Sequence, residues 1–133
     1  MEKRDFLMAQ LEQMGKALAH ASARLIGLVP ADQLEIQKVG EELNGQLDFD
    51  VHELIGKSMD EIGSWFNDHE LSFEIAESIA DYLSNLYTAK SANGISALKT
   101  AKYLLVLADK ETKSFSMERA KKMMEIDREL LDQ

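Results

Sequence analysis

Cysteine is missing from the 133 residues, and proline and tryptophan each occur once. Without a thiol the chain forms no disulfide, offers no thiolate nucleophile and holds no zinc through sulfur. The one proline, Pro30, and most of the seven glycines fall at plausible element boundaries. Long apolar runs are also lacking. The longest, Tyr103 to Ala108, has six residues, against the roughly 18 that a membrane span needs. At the amino end Glu12, Lys16 and Arg24 interrupt what would have to be the apolar core of a secretion signal. A cytoplasmic home is therefore expected. Strand-type alternation is absent, and so is any excess of positive charge. Net charge is −9, concentrated in residues 31–81, where fourteen acids face only Lys38 and Lys57, a net −12. Residues 1–30 and 82–133 are nearly balanced. An acidic middle argues against nucleic acid and anionic membranes as partners. It fits solubility or a partner with a basic patch.

What is present is helical periodicity. Leu7, Leu11, Met14, Leu18, Ala21 and Leu25 advance by four, three, four, three and four, so they share one side of a helix over residues 3–26. Gly27 stops that helix and Pro30 starts the next, which carries Ile36, Val39, Leu43 and Leu47. Gly40 and Gly45 weaken it locally. Asp50-x-x-Glu53 and Ser58-x-x-Glu61 fit capping boxes of two short helices, broken at Gly56-Lys57. Residues 70–89 carry two adjacent stripes, Leu71, Ile75, Ile79, Tyr82 and Leu86 beside Phe73, Ala76, Ala80, Leu83 and Tyr87. That width predicts a helix buried on two sides. After Asn93-Gly94 another helix, residues 95–110, turns Leu98, Ala101, Leu104, Leu105 and Ala108 inward. Ser116 caps the last helix, with Phe115 placed to staple onto Ala120. The expected fold is one all-α domain of about seven helices in antiparallel hairpins. It divides into an amino-terminal hairpin (1–46), short acidic helices (47–68) and a final helical block (69–133).

The opening Asp5-Phe6-Leu7-Met8, the run Leu11 to Ala19, and the middle segments Asp50 to Ile55 and Ser58 to Ile62 resemble a group of small bacterial helical proteins. Tetratricopeptide-like hairpins make up the second half of that group. The last hairpin, with Ala101, Leu104 and Ala108 against Ala120 and Met124, is similar to a degenerate tetratricopeptide unit. Small residues there let paired helices approach closely. It departs from the repeat in a longer connection, in Ala108 at the usual glycine position and in having no closing proline. The resemblance implies a TPR-like, solenoid-like bundle with a binding role, and supplies no catalytic residues.

Several groups of polar residues bear on possible chemistry. Asp48-x-Asp50-x-His52, with Glu53 beside it, could offer oxygen and imidazole ligands to a hard cation. It lacks the glycine and terminal glutamate of a calcium loop, and capping accounts for Asp50. Asn67 or Asp68 is expected to cap the helix over 70–89, with Glu70 near its positive end. His20, four residues from Arg24, reads as a helical surface histidine. No serine stands in an elbow or with a partnered lysine. Ser91-Ala92-Asn93-Gly94 is a turn, not a phosphate loop. The carboxylate groups Glu41-Glu42 and Glu74-Glu77-Asp81 read as a hydrated face.

The chain is therefore expected to be no enzyme and to carry no cofactor. The leading expectation is a protein- or peptide-binding adaptor with a helical groove and an acidic face. Trp65, Phe66, Glu41, Glu42, Met123 and Met124 are the candidate contact residues, since aromatics and methionines suit interfaces. The seven-residue spacing of the first helix also suits a homodimer seam. The alternative is a small-ligand or divalent-metal protein centred on Asp48, Asp50 and His52.

Overall fold

A computed structural model describes residues 3–28 and 32–133, with side chains from residue 8 onward. Pro30, expected to start the second helix, and the side chain of Leu7 lie outside the described residues. Among the described residues there are six α-helices: α1 (Lys3–Ile26), α2 (Gln33–Leu47), α3 (Met59–Asp68), α4 (Ala76–Thr88), α5 (Gly94–Thr112) and α6 (Met117–Leu131). Two single 3₁₀ turns, Val51–Leu54 and Phe73–Ile75, complete the described regular structure. The all-α class is as expected from periodicity, while the count of about seven helices becomes six with two turns.

Each difference has a local cause. Asp50 caps the segment after α2 by accepting from the His52 amide. Ile55 then turns extended and Gly56 adopts φ 89°, so helix growth stops after one 3₁₀ turn. Ser58 and Glu61 do form the reciprocal capping box that starts α3. The helix expected from residue 70 begins later. Asn67 and Asp68 still belong to α3, Glu70 takes a left-handed conformation, and Ser72 caps the turn before α4.

The centre of the molecule is α4, which buries Ala76, Ile79, Ala80, Tyr82, Leu83 and Leu86. Its double stripe demands neighbours on two sides. On one side lies α5, in the most extensive pairing of the fold, and on another α1, whose Met14, Leu18, Ala21 and Leu25 are buried. From Met14 to Leu25 the heptad stripe of the first helix is thus buried inside the chain, against α2 and α4. Close approach of α4 and α5 depends on Gly94, where an added Cβ would sit 2.9 Å from the Tyr87 Cα. Buried Thr100 on α5 accepts from the Gly56 amide at 3.1 Å, fastening the middle segment to the bundle. Antiparallel packing of α5 and α6 is fixed by Arg119–Asp109 at 2.5 Å and Lys102–Asp127 at 2.5 Å. Phe115 does not staple onto Ala120 but stands 75% exposed. A single methyl at residue 120 offers a phenyl ring too little surface to cover.

Candidate functional site

A groove of about 1190 Å³ runs along the molecule with α1 and α6 as walls and α4 as floor. The α1 wall consists of Gly15, Ala19, Ser22, Ala23 and Ile26, all uncharged and, but for Ile26, small. Their spacing repeats the helix period one step aside from the buried stripe, so one helix packs inward through leucines and borders the groove with small side chains. Ser78, Asp81, Ser84, Asn85 and Thr88 form a polar floor. The α6 wall is charged, with Lys122, Glu125, Arg128 and Glu129.

Ion pairs hold α6 in position. Lys122 Nζ donates to Glu77 at 2.7 Å and to Asp81 at 3.2 Å. Arg119 reaches Glu77 at 3.4 Å and donates to the Ser114 carbonyl at 2.9 Å. Burial opposes ionisation of Glu77, but Lys122 and Arg119 outweigh it and hold its carboxyl below the usual range. Asp81 goes the other way: burial raises it, and Lys122 compensates only in part. The Lys122 ammonium, although partly desolvated, is held charged by its two carboxylates above the ordinary lysine value. At one end of the groove Tyr87 donates to Glu129 at 3.1 Å and accepts from Gln133 at 2.7 Å.

A second arrangement lies beside a shallower depression of about 580 Å³ bordered by Gly40, Glu41, His52 and Asn93. Asp50 Oδ1 is 2.7 Å from His52 Nδ1, and His52 Nε2 is 2.7 Å from the Tyr82 hydroxyl. With a neutral ring the phenol donates to Nε2 and Nδ1–H donates to the carboxylate. Asp50 is partly buried, yet its bonds to His52 and the nearby Asn44 amide leave its carboxyl below the ordinary value. Burial and the Asp50 charge push the Tyr82 phenol far above its ordinary value. The phenol is wholly buried, so this relay ends in the core and works as a strut.

In this geometry the residues of the metal alternative are engaged within the chain. Both ring nitrogens of His52 and the same oxygen of Asp50 are engaged with each other or with Tyr82. Asp48 closes α2 in a left-handed conformation, with its amide on the Asn44 carbonyl. Among the described residues no three His, Asp or Glu side chains gather as a cation site.

The aromatic candidates are also internal. Trp65 is 5% exposed and Phe66 not at all, because α3 is enclosed on both flanks. Trp65 packs edge-on against Phe49 and donates to Glu53 at 3.1 Å, while Phe66 stacks on Phe73 with centroids 4.8 Å apart. Neither offers a partner its ring. Glu41 is exposed and accepts from Gln37 at 3.2 Å; Glu42 pairs with Arg24 across α1 and α2. Met123 packs partly against the core, and Met124 stands out at 65% exposure. His20 is exposed, as read from the sequence.

Sequence reasoning missed the His52–Tyr82 bond, which joins residues thirty apart. The one local signal was Gly40, a glycine inside an otherwise sound helix. It also missed Gln33, whose side chain donates to the Lys90 carbonyl at 3.0 Å and accepts from the Ala92 amide at 3.3 Å, clamping the α4–α5 turn. No family model matches the chain, and neither a curated protein nor a solved structure matches it.

Proposed function

We propose that the chain is a non-catalytic binding module whose groove between α1 and α6 receives an α-helical segment of a partner protein. One observation carries this reading: up to Ile26 the α1 wall of the groove presents only small side chains, over about three helical turns. From Gly15 to Ile26 the α1 wall extends about 16 Å at a helical rise of about 1.5 Å per residue. The small side chains of α1 permit close backbone approach. The mixed charges of α6 supply register and direction. An amphipathic helix seated in such a groove is a common mode of recognition.

The acidic stretch 31–81 favours a partner with a basic patch flanking its helix, with encounter weakened by salt. The run α4–α5–α6, with Ala101 and Ala108 buried along α5, supports the tetratricopeptide-like reading as part of this proposal. The cytoplasmic home expected from the sequence belongs to it too.

The test compares tagged wild type with Ala19→Trp, which fills the groove from an exposed position, in extracts of the native cell at low and moderate salt. A species captured by wild type and lost by the variant supports the groove. Equal capture by both overturns it, and indifference to salt overturns the basic partner.

A further inference from the structure

Nine large hydrophobic side chains stand exposed among the described residues, and four of them gather on α6 and the turn before it. These are Phe115 at 75%, Met117 at 78%, Met124 at 65% and Leu131 at 84% exposure. Met117, Met124 and Leu131 recur every seventh residue, so they form one stripe. The same helix buries Ile126 on its opposite side. Lys121 and Arg128 border the stripe on one side and are exposed. The face is therefore apolar, ordered and uncovered.

Charges along its shoulder identify what would cover it. Glu118, Lys121, Glu125 and Arg128 follow at spacings of three, four and three, alternating in sign along one edge. All four are exposed, and among the described residues none takes part in an ion pair within the chain. A partner of one charge sign, or an anionic membrane, would match only half of such a row. A second copy of α6 running antiparallel matches all of it. Glu118 then meets Arg128 of the second copy and Lys121 meets its Glu125, each contact made twice about a twofold axis. In the same register the two Met117–Met124–Leu131 stripes run alongside each other, with Met124 offset from its counterpart by two residues, about 3 Å along the axis.

We propose that the outward face of α6 is a homodimer surface, closed by an antiparallel α6–α6 pairing. Such an interface is small: 15 residues of helix give a contact about 22 Å long. That puts it near the weak end of specific interfaces, below about 1,200 Å² in total. The dimer is reversible, concentration-dependent and weakened by salt. It does not rest on the groove reading, although Glu125 and Arg128 also edge that groove, so dimerisation narrows access to it.

The test is sedimentation velocity on the full chain from micromolar to millimolar concentration. Wild type is expected to show a reversible monomer–dimer equilibrium. Arg128→Glu sets like charges against each other twice and weakens the dimer by about tenfold. Adding Glu118→Arg to it restores the complementary order and brings affinity back to within about threefold of wild type. Met124→Glu disrupts the dimer through the apolar stripe. Unchanged helical circular dichroism and melting of the monomers confirm that these exposed substitutions leave the fold intact. A wild type that stays monomeric throughout overturns the proposal, as does a dimer indifferent to Arg128→Glu and Met124→Glu. Loss on reversal without rescue by the exchange overturns the antiparallel register.

Discussion

The imidazole of His52 lies against the backbone of Gly40: a Cβ built on that glycine would stand 3.0 Å from both Cε1 and Nε2 of the ring. The ring cannot swing aside without losing a bond, because Asp50 and Tyr82 hold it at both nitrogens. Gly40 is therefore a close-approach residue in the middle of α2.

The first prediction follows from setting two glycines of one helix side by side. Around Gly45 nothing lies within 4 Å of an added Cβ. Gly45→Ala should stabilise the protein by about 0.5–1 kcal/mol, the helix-propensity difference. Gly40→Ala gains the same propensity but displaces a pinned ring, at a cost of about 1–3 kcal/mol, so it should be net destabilising. Chemical denaturation of both variants decides it, and equal shifts would sink the argument.

The relay itself gives the second prediction. Tyr82→Phe removes one hydrogen bond and leaves His52, which is partly exposed, to find water; its expected cost is about 1 kcal/mol. His52→Leu leaves the buried phenol of Tyr82 without its partner and should cost about 1–3 kcal/mol. Asp50 has a folded pKa below its unfolded value. Its contribution is present above the ordinary aspartate range and is lost as pH falls through the lower, folded value. Melting temperature against pH should therefore fall less steeply on the acid side for Asp50→Asn than for wild type, from a lower plateau. Parallel curves would show that Asp50 carries no such linkage.

Two carboxylates that share Lys122 should respond in opposite directions. Glu77 is lowered by Lys122 and Arg119, so its ionised form stabilises the fold at neutral pH. Asp81 is raised by burial, so the folded state favours its protonated form, and its ionisation opposes folding as pH rises through the folded value. Glu77→Gln should cost about 1 kcal/mol at neutral pH, allowing for partial solvent screening. Asp81→Asn should be neutral or slightly stabilising there. Denaturant midpoints at neutral pH separate the two, and a larger loss for Asp81→Asn would reverse the assignment.

Periodicity made much of this fold legible. The stripes of residues 14–25, 33–47, 76–88 and 94–112 turn inward as their spacing demands, since burial of an amphipathic face is a local property of sequence. Boundaries in the middle segment were harder to read. The break after α2 depends on Asp48 and Gly56 taking left-handed conformations, and Asp48 has no glycine-like mark in the sequence. Trp65 and Phe66 illustrate a second limit. Adjacent helical residues point about 100° apart, and only the tertiary arrangement of Phe49, Phe73 and His69 decides that both are covered. The groove was illegible for the same reason. Small residues such as Ala19 and Ala23 look alike whether they face solvent, a neighbour or a cleft, and α6 stands opposite them only through pairs such as Lys122–Glu77, forty-five residues apart.

The last prediction concerns Gly94, which starts α5 where that helix passes the end of α4. Its φ is not left-handed, so conformational freedom is not what the site requires. Space is. An added Cβ would sit 2.9 Å from the Tyr87 Cα and 3.3 Å from the Leu86 carbonyl oxygen, both main-chain atoms that cannot rotate away. Relief requires sliding α5 along α4, against the tightly buried Leu86, Ala97 and Ala101, and breaking the Gln33 clamp on Lys90 and Ala92. Gly94→Ala should therefore cost about 1–3 kcal/mol, although alanine is the better helix former. Gln33→Ala, which removes the clamp without overlap, should cost about 1 kcal/mol. The double variant should lose less than the sum, because a loosened turn accommodates the methyl group more readily. Full additivity of the two in denaturant unfolding would show that clamp and close approach act independently.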